Sequence, residues 1–194
     1  MKTLVLIVAF ASVCNGAGVK FPTVRSSTSP DQHWGIHCVT TNEPEDACHR
    51  LLLSRVGTRN EEEIWRTGRS CDALWSADSQ RLAITDWVGS NVSEIFLLEV
   101  AASKAVRLDV KDVEKILQKE ELRGHCYYEA LSWESRQRLA IRIFGHTDAN
   151  PSHGFAYYLS VDCASGEAKL LRKEDKEPSQ ASEVTARKLA EPQR

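Results

Sequence analysis

The sequence predicts a mainly β protein: three four-stranded antiparallel meander sheets with one short helix between the second and the third. Three observations predict it. A polar turn opening into a short apolar strand recurs as SPDQHWGI at 29–36, SADSQRLAI at 76–84 and ESRQRLAI at 134–141, and repetition of this kind is the signature of a repeat architecture. Runs rich in Val, Ile, Leu, Phe, Tyr and Trp follow each copy, bounded by Gly, Asn, Asp, Ser and Pro, which is strand and turn chemistry. Small Ala83 and Ala140 stand beside larger neighbours, as in strands buried on both faces by adjacent sheets.

The first seventeen residues, MKTLVLIVAFASVCNGA, place one Lys before an apolar run from Leu4 to Val13 and end on small residues. The run is too short to span a bilayer and has the layout of a secretory signal, so a secreted or periplasmic protein is expected. Cys14 opens an alternative, a lipoprotein anchored at that residue, although Val13 stands where such processing prefers Gly, Ala or Ser.

Residues 18–174 suit one β-repeat domain. The first unit runs from a strand at Val24–Thr28 through the SPD turn, HWGIHCVTT, HRLLLSRV and EEIWR. The second runs SCDALW, the SADSQ turn, RLAITDW, the loop VGSNVS, EIFLLEV, the turn AASK and AVRLDV. RLAITDW alternates, with Leu82, Ile84 and Asp86 on one side and Ala83, Thr85 and Trp87 on the other. The third runs HCYYEALSW, the ESRQ turn, RLAIRIF, the loop GHTDANPSHG, FAYYLSVD, the turn CASGE and AKLL. Between the last two, KDVEKILQKEEL spaces Val113, Ile116, Leu117 and Leu122 along one helical face, predicting a helix from Asp112, its N-cap, to Leu122, with Gly124 beyond its end. The charged stretch from 175 to 194 has too few apolar residues to offset its ordering entropy and reads as a disordered tail.

Twenty-five basic and 27 acidic residues give a net charge of −2, which excludes the basic footprint of a nucleic-acid-binding protein. Beyond Cys14 there are five cysteines, an odd number, and export would place them where disulfides persist. Cys38 and Cys48 flank a short polar loop and form one candidate pair; Cys126 and Cys163, both in the third unit, form the other. Cys71 reads as a small buried residue.

With the repeats laid out, the chain resembles β-propeller blades of the TolB-like type found in exported bacterial proteins. The likeness is carried by WSADSQRLAITDW, its weaker copies LSWESRQRLAIRIF and STSPDQHWGI, and the later strands EIFLLEV and YYLSVD, over about residues 24–172. It implies three blades of an incomplete ring, where closed propellers have about four to eight, and it says little about function because propellers host binding modules and enzymes alike. Two exposed sheet ends would then need covering, by the helix and tail or by a homodimer.

For chemistry, His146, Asp148 and His153 share one loop and are the candidate metal ligands. His33 and His37, four apart in an expected strand, would share a face. Cys71 and His125 lie in first strands and would have to meet across sheets to act as nucleophile and base. Nucleophile elbow, zinc-protease helix, phosphate loop and Cys-x-x-Cys motifs do not occur in the sequence, and no cofactor is expected. Trp75 and Trp133 end equivalent strands and read as packing between sheets, while Trp34, Trp65, Trp87, Tyr127 and Tyr128 are candidates for contact residues. Asn91, Val92 and Ser93 form a glycosylation sequon. The expected function is an exported, non-catalytic binding or scaffolding module for a protein or envelope component, without a transmembrane span; the alternative is a metal-dependent hydrolase using the His146 loop.

Overall fold

Three antiparallel sheets stack along the chain in a computed structural model that describes residues 18–41 and 48–176. The expected signal segment with Cys14, and residues 177–194 of the expected tail, lie outside the described residues. The first sheet joins β2 (Ser26–Thr28), β3 (Trp34–Thr41), β4 (Cys48–Arg55) and β5 (Glu61–Thr67) in that order. The middle sheet joins β6 (Cys71–Trp75), β7 (Arg81–Asp86), β8 (Glu94–Glu99) and β9 (Lys104–Arg107), and the third joins β10 (His125–Trp133), β11 (Arg138–Thr147), β12 (Asn150–Asp162) and β13 (Ala168–Lys176).

The middle sheet corrects the expectation of four strands each. It has five, because β1 (Val19–Phe21) pairs with β6 in the register Val19 to Ala73 and Phe21 to Cys71. Three residues of VKF carry too little periodicity to announce a strand. Burial of Phe21, fully covered beside Cys71, Cys38 and Ile36, secures it.

Period-two alternation then builds two cores. Ile36, Cys38, Leu51 and Leu53 of the first sheet meet Cys71, Ala73, Leu82, Ile84 and Leu98 of the middle one. The opposite face of the middle sheet, with Leu74, Ala83 and Ile95, meets Leu139, Ile141, Ile143, Leu159 and Val161 of the third. Trp75 and Trp133 play matching parts: the Trp75 indole N–H donates to Ser27 Oγ at 3.2 Å and that of Trp133 to the Leu74 carbonyl at 3.1 Å. Each ties its sheet to the one before it.

Both outward faces of the stack carry ion pairs. On the first sheet Arg50 and Arg66 grip Glu63 at 2.5 and 3.0 Å, and His37 faces Glu61 at 3.5 Å. On the third, Arg142 pairs with Glu129 at 2.5 Å while its guanidinium lies 4.1 Å from the Phe144 ring centroid, and Arg172 covers Tyr158 at 3.8 Å. A polar outer face on terminal units is how stacked repeats stay soluble.

The expected single helix is broken in two. Val113–Lys115 forms a 3-10 turn with Asp112 at its N-cap position, as expected, though at a φ of 56° and with no side-chain cap hydrogen bond. Helix α1 spans only Lys119–Arg123, opened by the extended Gln118, whose N–H donates to Glu121 Oε2 at 2.7 Å. The break lets Leu117 enter the second core and turns Glu121 inward, where it accepts the Tyr157 hydroxyl at 2.9 Å. Two further segments are more ordered than expected. The ten-residue loop GHTDANPSHG closes as a hairpin with only Asp148 and Ala149 between β11 and β12, and β13 continues through Lys176. In that extension Tyr158 donates to Glu174 at 3.1 Å and Lys173 lies 5.1 Å from the Tyr157 ring centroid. The CASGE turn needs Gly166, with φ of 77° and no room for a Cβ against the Asp109 carbonyl.

Candidate functional site

The repeated turns have a shared hydrogen-bond chemistry. In the first copy Ser29 Oγ donates to Asp31 Oδ1 at 2.6 Å and accepts the Trp34 N–H at 3.0 Å, while the His33 N–H reaches Asp31 at 3.0 Å. In the second, Ser76 Oγ donates to Asp78 at 2.7 Å, accepts the Arg81 N–H at 2.9 Å, and the Gln80 N–H reaches Asp78 at 3.1 Å. Gln32 and Ser79 occupy the left-handed position of each turn, with φ of 62° and 59°. The third copy has Glu134 in place of the Ser, and its carboxylate accepts from Ser160 Oγ instead. The turns are linked in space: Asp31 to Ser79 at 3.0 Å, and Arg81 to the Arg136 carbonyl at 2.6 Å. Hydrogen bonds from Ser29 and the His33 backbone hold the Asp31 carboxyl well below the usual carboxylate range. Partial burial works against the same shift at Asp78, yet bonds from Ser76 and Gln80, with Arg136 and Arg81 nearby, still hold it low.

The position after each turn sets what the surface shows. Trp34 stands where Arg81 and Arg138 stand in the later copies. Its indole is half-buried with the Arg55 guanidinium 5.1 Å from its centroid. Two hollows flank it. One of about 470 Å³ is lined by Gln32, His33, Trp34, Arg55, Val56 and Thr58; the other, about 440 Å³, extends past Leu53 and Glu62 to Val100. Val56, 56 % exposed, stands on the rim.

The other contact candidates separate by environment. Trp65 packs against Phe96 in a tilted arrangement, centroids 4.2 Å apart, beside the first core. Tyr128 lines a cleft of about 270 Å³ between the middle and third sheets, with Ile95, Leu108 and Val113, and burial pushes its hydroxyl up to about 12. Trp87 donates its indole N–H to Asp72 at 2.6 Å and lies 6.1 Å from Tyr127 and 6.3 Å from Phe144, with the Lys20 ammonium at 5.8 Å.

His146 leads away from the expected metal loop. It lies on β11 directly opposite His125 of β10, the two rings stacked at 4.3 Å. Asp148 is exposed at the hairpin tip, and the side chain of His153 lies outside the described residues. No group of three or more His, Cys, Asp or Glu side chains poised for a metal occurs among the described residues. Gly145 makes the close approach of β10 and β11 achievable, because a Cβ there would collide with the His125 carbonyl. His33 lies in the turn, 3.1 Å from Asp31, and only His37 is in the strand.

The strand register sets the expected cysteine partners apart. All five described cysteines are outside any disulfide. Cys38 lies opposite Leu51 and Cys48 opposite Thr41, three rungs apart and on opposite faces. Cys126 lies opposite Gly145, while Cys163 follows Asp162, opposite Arg138 at the far end of the sheet. Seven residues at about 3.3 Å each separate those rungs by roughly 23 Å, far beyond the ~7 Å a disulfide tolerates. Cys71 is sealed in the first core, its thiol pushed far up by burial, then by Asp86 and Asp72. His125 is on the third sheet, its ring stacked on that of His146. The sequon residue Ser93 is fully buried, its hydroxyl bridging the Tyr128 carbonyl and N–H.

These sheets are β-propeller-like blades. The chain is similar to the β-propeller domain of the Trilobed protease from Pyrococcus furiosus, described as having an open velcro topology, with TM-score 0.54 and 10% identity over 76% of this chain and 42% of that one. It is also similar to a structure from a study of two prolyl endopeptidases, with TM-score 0.50 and 15% identity over 84% of this chain and 22% of that one. TolB from Acinetobacter baumannii matches at TM-score 0.35 and 12% identity over 82% of this chain and 45% of that one, too weak to carry an argument. The chain thus spans less than half the length of each of these proteins. No family profile matches the sequence, and none of the curated proteins does.

Proposed function

We propose that the protein is an exported, non-catalytic binding or scaffolding module whose contact surface is centred on Trp34 and whose partner is a protein or envelope component. The observation that carries this reading is the Trp34–Arg55 pair between two hollows, with Val56 exposed on the rim. Trp and Arg are the residues most enriched among those that dominate binding energy, and they act best where neighbours can exclude water around them. The early apolar segment, Leu4 to Val13, supports export. Among the described residues no helix is long and apolar enough to cross a membrane.

A photo-crosslinking residue at Val56 tests the reading in the native host. A discrete adduct that disappears with Trp34→Ala, while a crosslinker at Leu171 on the far strand gives none, is the expected result. Absence of an adduct at Val56, or one indifferent to Trp34, overturns it.

A further inference from the structure

We infer that the cross-strand pair His125 and His146 is a binding site for a divalent transition-metal ion, of which Cu(II) is the best fit. The two imidazoles are direct partners in the β10–β11 register and stack with centroids 4.3 Å apart and planes 23° from parallel. One ion with metal–nitrogen bonds of about 2.0–2.1 Å takes two Nε2 atoms no more than about 4.2 Å apart with their lone pairs converging on it, so the two rings open from the stack to bind.

The hydrogen bonds around the rings fix which nitrogen is available. Tyr127 has one hydroxyl proton and gives it to the Ser90 carbonyl. Its oxygen, 3.2 Å from His125 Nδ1, can then only accept, so Nδ1 of His125 carries a proton. Nδ1 of His146 faces the Thr147 carbonyl at 3.3 Å, which accepts and never donates, so it too carries a proton. Both neutral rings therefore present a bare Nε2. A ligating imidazole whose other nitrogen donates to a carbonyl or hydroxyl is the arrangement that sets tautomer and orientation in metal sites.

The surroundings suit an open site. Both rings are half-buried, so an ion can reach them from solvent. Phe144 and Tyr127 wall one side, 5.3 Å apart, and the nearby Arg142 is already engaged by Glu129 at 2.5 Å. Two imidazoles leave the remaining coordination positions to water. Such a nitrogen-rich, unfinished shell ranks metals by their intrinsic affinity, with Cu(II) above Ni(II) and Zn(II). The site differs from the expected His146, Asp148 and His153 set, because Asp148 is at the hairpin tip and the partner of His146 comes from β10.

Equilibrium dialysis of the untagged full-length chain against Cu(II), with electron paramagnetic resonance of the bound ion, tests this. The expected result is one ion per chain with hyperfine structure from two nitrogens, and at least tenfold weaker binding in His125→Ala and in His146→Ala. His153→Ala and His49→Ala are expected to bind as the parent does. Far-UV circular dichroism checks that each variant folds; for a variant that does not, His125→Gln or His146→Gln supplies the same comparison. Undiminished binding in the doubly substituted His125→Ala/His146→Ala chain overturns the site. Loss in His153→Ala equal to that in His146→Ala also overturns it, by moving the ion to the hairpin.

Discussion

The main-chain N–H of Asp31 donates to Oγ of Ser79, 3.0 Å away and 48 residues further on, so the first copy of the repeated turn is fastened to the second. The motif that marks the blades in sequence is therefore also a fastening between them. Ser79 is buried at 2 % exposure, and removing its hydroxyl strands the Asp31 donor. Ser79→Ala is expected to cost about 1–2 kcal/mol, as loss of a part-buried hydrogen bond does. Urea unfolding measures it, and an unchanged midpoint would detach the turn link from stability.

Acid should loosen the same turns. Asp31 and Asp78 are held below their ordinary pKa, by hydrogen bonds at Asp31 and by bonds that outweigh burial at Asp78. A carboxyl lowered on folding gives stability that is full above the unfolded value, near ~4, and is lost as pH falls through the folded one. Asp72 and Asp86, raised by burial, have the opposite sign: their cost applies above the folded pKa and fades as they protonate. Asp31→Asn retains an acceptor and removes the titration. The parent's urea midpoint should fall more steeply than the variant's from about pH 4 to about pH 2. Parallel slopes would place the acid sensitivity elsewhere.

Glu121 and Tyr157 join α1 to the third sheet through a buried bond of 2.9 Å. A hydrogen bond to a carboxylate is worth about 1.5–3 kcal/mol. Tyr157→Phe, which leaves the carboxylate without this donor, should lower stability by that order, and the double variant with Glu121→Gln should recover part of it. Thermal denaturation of four chains, the parent, Tyr157→Phe, Glu121→Gln and the double variant, reads the coupling; strict additivity would refute it.

At Gly145 the close approach of backbone to backbone leaves no room for a methyl group. Gly145→Ala should destabilise by about 1–3 kcal/mol, as overpacking does. Amide exchange should quicken first at His125 to Tyr127, and an unaffected β10 would contradict this.

Mass spectrometry after alkylation in denaturant without reductant should find Cys38, Cys48, Cys71, Cys126 and Cys163 all modified. Native protein should react slowly at Cys71, which is fully buried. A two-hydrogen deficit in a peptide pair linking Cys38 to Cys48 or Cys126 to Cys163 would contradict the register.

What the sequence made legible follows from range. Alternation in RLAITDW is local: Leu82 and Ile84 do face one core, Asp86 accepts a bond from Thr67 of the same neighbouring sheet, and Ala83 faces the other core. The matching of Trp75 with Trp133 could be read from their equal places in the repeat. The strand β1 could not, because VKF is defined by a pairing with residues some 50 positions away. Helix periodicity over Asp112–Leu122 was real, yet the burial of Glu121 against Tyr157 depends on a sheet met later in the chain. The His125 partner of His146 was hidden for the same reason: a hairpin read as a long loop conceals which residue lies across the strand. Trp34 was legible as a contact candidate, whereas its pairing with Arg55 required the β3–β4 register.

The order of strands has a consequence for assembly. Because β1 belongs to the middle sheet and the whole of the first sheet is spelled between β1 and β6, the middle sheet closes only when a segment synthesised before the first sheet docks onto one synthesised after it. Such a long-range contact forms late, since its loop must be closed before the pairing offers any return. The first and middle sheets are thus interlocked in sequence as well as packed in space, and no single cut can part the two sheets with all their strands intact.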